Sequence, residues 1–402
     1  MVSLRAPMHG NPPPSPAAPQ GQAGGRLWTR DYVRVLVLQM CFGLSYSAFL
    51  LLPKYLRAEL RSSATEIGWV TGAALVVAAV AGPLLGSGVT RLSKRWVLFS
   101  GLVGSGVAAL AFAAVDRVGP LLYGLRLLQG LAFVAVFNST AVIVADRVDG
   151  SRLGQAIGYL GLSMLATNAL APAVTEPLAD ALGWGVAFSS AGVLALVASL
   201  GVLSIPDDPE PVQEVDHPPI SVADRRLLAT YYASALVGVG LGVMFTFTQP
   251  FALQLGAERV GDFFFGYVAS AVFMRTVLAR LADRVGAGRV AVAALLLYSV
   301  VVLTTARLSP PLLVLLGIGL GAAHGLIYPA LTAFALGRVS SRQRGPVMGW
   351  FAGCYNAGFA MSVLCLGPVA DRVGFPVVFV VAGILVLTGV HPLRRAVADA
   401  GP

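Results

Sequence analysis

Apolar residues run through this chain in long blocks, not in alternation. Roughly 20 mainly apolar residues is the length that crosses a hydrocarbon layer as a helix. Twelve such blocks are predicted, at 32–53, 66–89, 96–115, 119–144, 154–178, 184–204, 227–252, 262–283, 288–306, 310–336, 346–369 and 375–393. In lipid the backbone must satisfy its own N–H and C=O groups, so blocks of this length are helices. The polar breaks between them are short. The longest, Ile205–Arg226, carries Asp207, Asp208, Glu210 and His217-Pro218-Pro219 and divides the blocks six and six.

The two sets of six repeat each other. Pro177–Phe188 reads PLADALGWGVAF, and 191 residues later Pro368–Phe379 reads PVADRVGFPVVF. The same offset pairs Pro120-Leu121-Leu122 with Pro311-Leu312-Leu313, and Gly130 with Gly321. A doubled helical bundle is a mark of secondary transporters, whose substrate site lies between the repeats near the bilayer midplane. The expected fold is an all-α membrane protein of two pseudo-symmetric six-helix bundles. These occupy 30–206 and 226–395, with a disordered tail at 1–29, a cytoplasmic linker at 207–225 and a short tail at 396–402.

Composition supports that reading. Of the 402 residues 56% are hydrophobic and 12% charged, against about 25% charged in soluble domains. The formal charge of +9 comes from Lys and Arg that mostly flank the apolar blocks. Their bias toward one side places both termini in the cytoplasm; the expected location is the plasma (inner) membrane. Lys54, Arg57 and Arg61 in the first outer loop run against the bias. No basic patch is interleaved with aromatics, so nucleic acid is not an expected partner. Cys41, Cys354 and Cys365 sit in apolar runs and form no metal spacing. No cofactor is implied, and the chain is read as a monomer. The Pro-, Gly- and Ala-rich stretch Met1–Gly25 lacks the apolar core of a signal peptide.

Two stretches carry mechanism. Gly86, Thr90, Arg91, Lys94 and Arg95 fall in GSGVTRLSKR between the second and third blocks. Asp283, Arg284 and Gly286 fall in ARLADRVGAGR between the eighth and ninth, and LRLLQG around Arg126 and Gln129 lies in the fourth. On these motifs the chain resembles the major facilitator superfamily, from about Arg30 to Arg395. The resemblance implies twelve helices, alternating access and a charge latch on the cytoplasmic side. In the family that loop carries Asp where this chain has Thr90, so the resemblance assigns more of the latch to Asp283. The family's antiporter pattern, Gly-Pro followed by Gly-Gly, is not matched by Ala171-Pro172-Ala173-Val174. The second half looks like the sugar-efflux and drug-efflux branch in VMFTFTQPFAL and HGLIYPAL.

Arg126 and Arg275 are the basic residues placed within the hydrocarbon, where even the milder scales charge about 2.5–3.5 kcal/mol. Arg126 is either a brace or a direct ligand. Arg275 shares a helical face with Tyr267 and is the leading candidate for substrate contact; the resemblance adds that organic-anion carriers hold a carboxylate with Arg on this helix. His324 and Tyr328, four apart, share a face, and His324 is either packed or a proton carrier. Tyr46, Gln129, Asn138, Gln249 and Asn356 complete the expected cavity, with Gln39, Asn168 and Tyr355 as further polar groups. Glu66 reads as the end of a capping box, and Asp262 as a cap. Glu176, Asp180 and Asp371 read as helix-end charges rather than gates.

The expected function is secondary active transport of a small molecule, leaning to proton-linked efflux of a metabolite or drug. Uptake or exchange of a small organic anion held by Arg275 and Arg126 is the alternative, and a lipid transporter or scramblase a more distant one. No paired metal ligands, nucleophile elbow or phosphate loop points to an enzyme.

Overall fold

The computed structural model describes residues 27–88, 93–149, 152–206, 224–277, 284–337, 339 and 343–399, and every element among them is helical. The α-helices are α1 (Arg30–Ser47), α2 (Leu52–Ala58), α3 (Ala64–Gly88), α4 (Lys94–Ala111), α5 (Pro120–Arg147), α6 (Leu153–Leu182), α7 (Trp184–Val202), α8 (Arg225–Gln254), α9 (Gly261–Val277), α10 (Ala287–Thr305), α11 (Leu313–Leu336), α12 (Arg344–Val373), α13 (Phe375–Thr388) and α14 (Val390–Ala398). A 3-10 turn at Ala48–Leu51 joins α1 to α2 in one span. α13 and α14 share the last span, which breaks at Gly389. Among the described residues, eleven spans are long and apolar enough to cross a membrane. The twelfth, α9, is described for 17 residues.

Helices outrun the edges read from hydropathy. α6 reaches Leu182 and α12 runs over 344–373, because Pro172, Pro177 and Pro368 lie inside them instead of ending them. Transmembrane helices tolerate such prolines because neighbouring groups satisfy the freed carbonyls. The capping box is present: the Ser63 N–H donates to Glu66 at 2.8 Å, and the Glu66 N–H to Ser63 Oγ at 3.1 Å. Large apolar side chains such as Val80, Leu200, Phe265 and Leu315 stay exposed on the outside of the bundle, as lipid-facing positions must.

The repeat now has a physical content. Gly183 ends α6 and Gly374 ends α12, at φ 86° and 88°. Only glycine takes that backbone cheaply, so PLADALG and PVADRVG are two copies of one turn. Gly130 of α5 lies on the backbone carbonyl of Ala74 in α3, and Gly321 of α11 on that of Tyr267 in α9. Lipid supplies no hydrophobic force between helices, so close backbone approach at small residues holds such pairs. Between the halves, α12 packs on α3 and α6 on α9.

Candidate functional site

The second half presents a polar, aromatic face. α9 carries Tyr267 and Arg275, α11 carries His324 and Tyr328, and α12 carries Tyr355 and Asn356. At a rise of 1.5 Å per residue, Arg275 is about 21 Å from the start of α9 and His324 about 17 Å from the start of α11. His324 is near mid-span, and Arg275 is in the last described turn of α9. The Tyr267 hydroxyl is 2.8 Å from His324 Nδ1, and the Tyr355 hydroxyl 3.5 Å from Nε2. A neutral imidazole offers one donor and one acceptor, so the two phenols occupy both nitrogens. His324 thereby ties α9, α11 and α12 together. Tyr328 packs edge-on against Tyr355, ring centroids 5.9 Å apart.

Arg275 is half-buried. It has no ion-pair or hydrogen-bond partner among the described residues, and its Nε is buried without one. A buried polar atom without a partner calls for an explanation, such as an absent ligand or ion.

The first half handles its arginine differently. Arg126 is 6% exposed. Its Nε donates to the Val70 carbonyl at 3.2 Å and an Nη to Gln129 Oε1 at 2.6 Å. Tyr46 stacks on Phe42 at 5.6 Å, with Phe133 at 4.9 Å. Phe133 occupies the repeat position of His324. Asn138 and Asn356 are half-buried with no hydrogen bond described. Gln39 accepts from Thr140 at 3.0 Å, and Asn168 from Ser47 at 2.8 Å, so these two tie helices within the half. Gln249, expected in the cavity, sits elsewhere. Its amide donates to the carbonyls of Leu50 and Phe245, both at 2.7 Å.

Gln249 belongs to a seal at the end of the bundle remote from the termini. Lys54, 6% exposed, lies 2.7 Å from Glu176, which is 1% exposed. Glu176 also accepts the backbone N–H groups of Val260 at 2.8 Å and Gly261 at 2.7 Å, from the other half. Asp371 accepts those of Ala64 at 2.8 Å and Thr65 at 2.9 Å, and Trp69 donates to the Leu364 carbonyl at 3.3 Å. The reading of Glu176 and Asp371 as helix-end charges alone is therefore overturned: each joins the two halves. Lys54 likewise is no loop residue but part of α2. At the opposite end Gly154, Gly158 and Gly161 on α6, and Gly349 and Gly353 on α12, have open space where side chains would stand.

Of the loop motifs, Thr90, Arg91 and Asp283 lie outside the described residues, so the latch assigned to Asp283 does too. Gly86 is in the last turn of α3. Gly286 turns into α10 at φ 97°, just after the exposed Arg284. Arg95 donates to the Leu203 carbonyl at 2.8 Å, alongside Arg34 on Ser204 at 3.3 Å and Arg147 on Pro206 at 2.9 Å. Cations on the final carbonyls complement a helix C-terminus, here that of α7. Lys94 pairs with Asp146. Among the described residues, no group of three His, Cys, Asp or Glu is placed to hold a metal.

The family model described as Major Facilitator Superfamily matches residues 35–274 and again 230–397. The chain is 26% identical over 354 residues to a protein named multidrug resistance protein MdtG from Enterobacter lignolyticus, covering 83% of this chain and 84% of that one. A protein of that name from Escherichia fergusonii is 26% identical over 348 residues. Among solved structures, the D323A mutant of the nucleoside transporter NupG superposes with a TM-score of 0.78 at 15% identity, over 91% of this chain and 99% of that one. The human organic anion transporter MFSD10 gives 0.67 at 21% identity, over 90% and 99%.

Proposed function

This chain belongs to the Major Facilitator Superfamily, and on that premise we propose that it exports a small metabolite or drug across the plasma (inner) membrane in exchange for protons. It is a secondary transporter and an integral membrane protein. The observation that carries export is the similarity to the multidrug resistance proteins over 83% of the chain. With the termini in the cytoplasm, the seal at the remote end and the open space at the other correspond to an inward-facing state. The solute enters from the cytoplasm between 30–206 and 226–395, reaches the faces around Arg275 and Tyr46, and leaves after the halves rock.

A second reading has its own support. Arg275 carries a charge without a described partner, and the ion pairs among the described residues lie near helix ends. A cation with no carboxylate beside it among the described residues suits an anionic solute, which would be taken up or exchanged.

Proteoliposome transport with and without an imposed pH gradient tests both readings. Export predicts that an inward-directed proton gradient drives the solute against its concentration. Movement of anions alone, indifferent to the gradient, would replace export with the second reading. Movement of bulky cations untouched by Arg275→Ala would remove the second.

A further inference from the structure

Two carboxylates at the sealed end do the same thing in opposite directions. Glu176, on α6 of the first half, spreads its two oxygens over consecutive N–H groups at the start of α9 in the second half: Val260 on Oε1 and Gly261 on Oε2. Asp371, on α12 of the second half, spreads its oxygens over consecutive N–H groups at the start of α3 in the first: Ala64 on Oδ1 and Thr65 on Oδ2. The Thr65 hydroxyl also donates to Oδ2. The first N–H groups of a helix have no partner within it, and the helix dipole favours an anion there. Each half therefore supplies the cap for a helix of the other.

We propose that this crossed pair of caps, Glu176 on α9 and Asp371 on α3, is the latch that holds the remote end closed and sets which side of the transporter is open. It rests on membership of the family and not on which solute is moved. Each cap must break when that end opens, and it breaks at both partners, since carboxylate and helix belong to different halves. The two caps are not repeat mates. The repeat position of Asp371 is Asp180, one turn beyond Glu176, which faces Lys54 at 3.6 Å instead. The longer Glu side chain makes from one turn back the fork that Asp371 makes directly. Glycine at 261 is part of the fit, because a methyl there would meet Glu176 Oε2 at 2.5 Å.

The two caps also differ in strength. α3 keeps its own capping box, Ser63 with Glu66, when Asp371 leaves. At α9, Val260 and Gly261 lose the acceptor that Glu176 gives them. Glu176 is buried and holds Lys54 as well, whereas Asp371 is exposed. The Glu176 cap is the main latch and the Asp371 cap the lesser.

The test uses the full chain in lipid nanodiscs with Cys41, Cys354 and Cys365 replaced by Ala. Spin labels at Leu182 and Arg259 report the remote end, and labels at Gln155 and Trp350 the other, by electron–electron distance measurement. Glu176→Gln is expected to raise the population with a long remote-end distance about tenfold, the low end for one lost charge-assisted bond, and Asp371→Asn about threefold, because its carboxylate is exposed to solvent. The distance at the other end shortens in the same proportion. A merely structural role would lower the melting temperature and leave the two populations unmoved. Lys54→Gln keeps the fork on α9 and is expected to shift the population less than Glu176→Gln. Unchanged distributions in both carboxylate variants, or a remote end that loosens without shortening at the other, overturn the latch. A Lys54→Gln shift equal to that of Glu176→Gln overturns the helix cap as its mechanism. If Glu176→Gln does not fold, Asp371→Asn decides alone.

Discussion

The two halves share a scaffold and spend their buried arginines in opposite ways. In the first half Arg126 is closed in, with the Val70 carbonyl and Gln129 on its donors. In the second half Arg275 has no hydrogen-bond or ion-pair partner among the described residues. A guanidinium already held by two acceptors gains little from a third. One without partners has its full hydrogen-bonding capacity left for a solute. On this comparison the first half is the braced wall and the second the reading surface. The strongest way to break it is Arg275→Ala. Loss of a charge-assisted hydrogen bond is worth about 1.5–3 kcal/mol, so transport efficiency in proteoliposomes should fall roughly 10- to 150-fold with little change in melting temperature. Wild-type transport by this variant would end the comparison.

Arg126→Ala should act through stability instead. It strips the donor from a buried carbonyl and from Gln129, and an unsatisfied buried group costs about 1–3 kcal/mol. Thermal unfolding in detergent should show the loss, and a double-mutant cycle with Gln129→Ala should show the two residues coupled. If Arg126→Ala instead raised the KM while leaving stability alone, Arg126 would be a ligand and both halves would read the solute.

His324→Phe installs the residue that the repeat has at Phe133. It removes the shared partner of Tyr267 and Tyr355, each hydrogen bond being worth about 0.5–1.5 kcal/mol. A bridging His324 predicts lower stability, a modest loss of rate and an unaltered dependence of transport on a pH gradient. Disappearance of that dependence would make His324 the proton carrier instead of the bridge.

How much of this was legible in the chain depends on whether a residue's role is local. Span positions, the glycine turns at Gly183 and Gly374 and the Ser63–Glu66 box are set by neighbours a few residues away, and hydropathy or motif displays them. The pairing of Gly130 with Ala74 and of Gly321 with Tyr267 was half legible: the repeat marks the glycines, but not the backbones they approach. The seal was not legible. Lys54 reads as a loop residue, and Glu176 and Asp371 as helix-end charges, because the cross-half partners of the two carboxylates lie 84 to 307 residues away in sequence and are backbone N–H groups, which carry no sequence label. Gln249 was misplaced for the same reason, since a mid-block glutamine reads alike whether it faces a solute or the carbonyl of Leu50.

The smallest expected effect sharpens the comparison most finely. Tyr46 stands in the first half beside Phe42 and Phe133, and no hydrogen bond from its hydroxyl is described. As part of the braced wall it contributes its ring, by stacking and by filling space beside Arg126. Tyr46→Phe keeps the ring and should leave both melting temperature and transport within about 0.5 kcal/mol of wild type, the usual range for a substitution that disturbs no packing. Tyr46→Ala removes the ring and should cost about 3 kcal/mol of stability, as large-to-small changes at packed aromatics do. The informative outcome is a Tyr46→Phe variant that is fully stable but slow. The hydroxyl would then be touching the solute, and the first half would carry part of the recognition that its closed-in arginine does not.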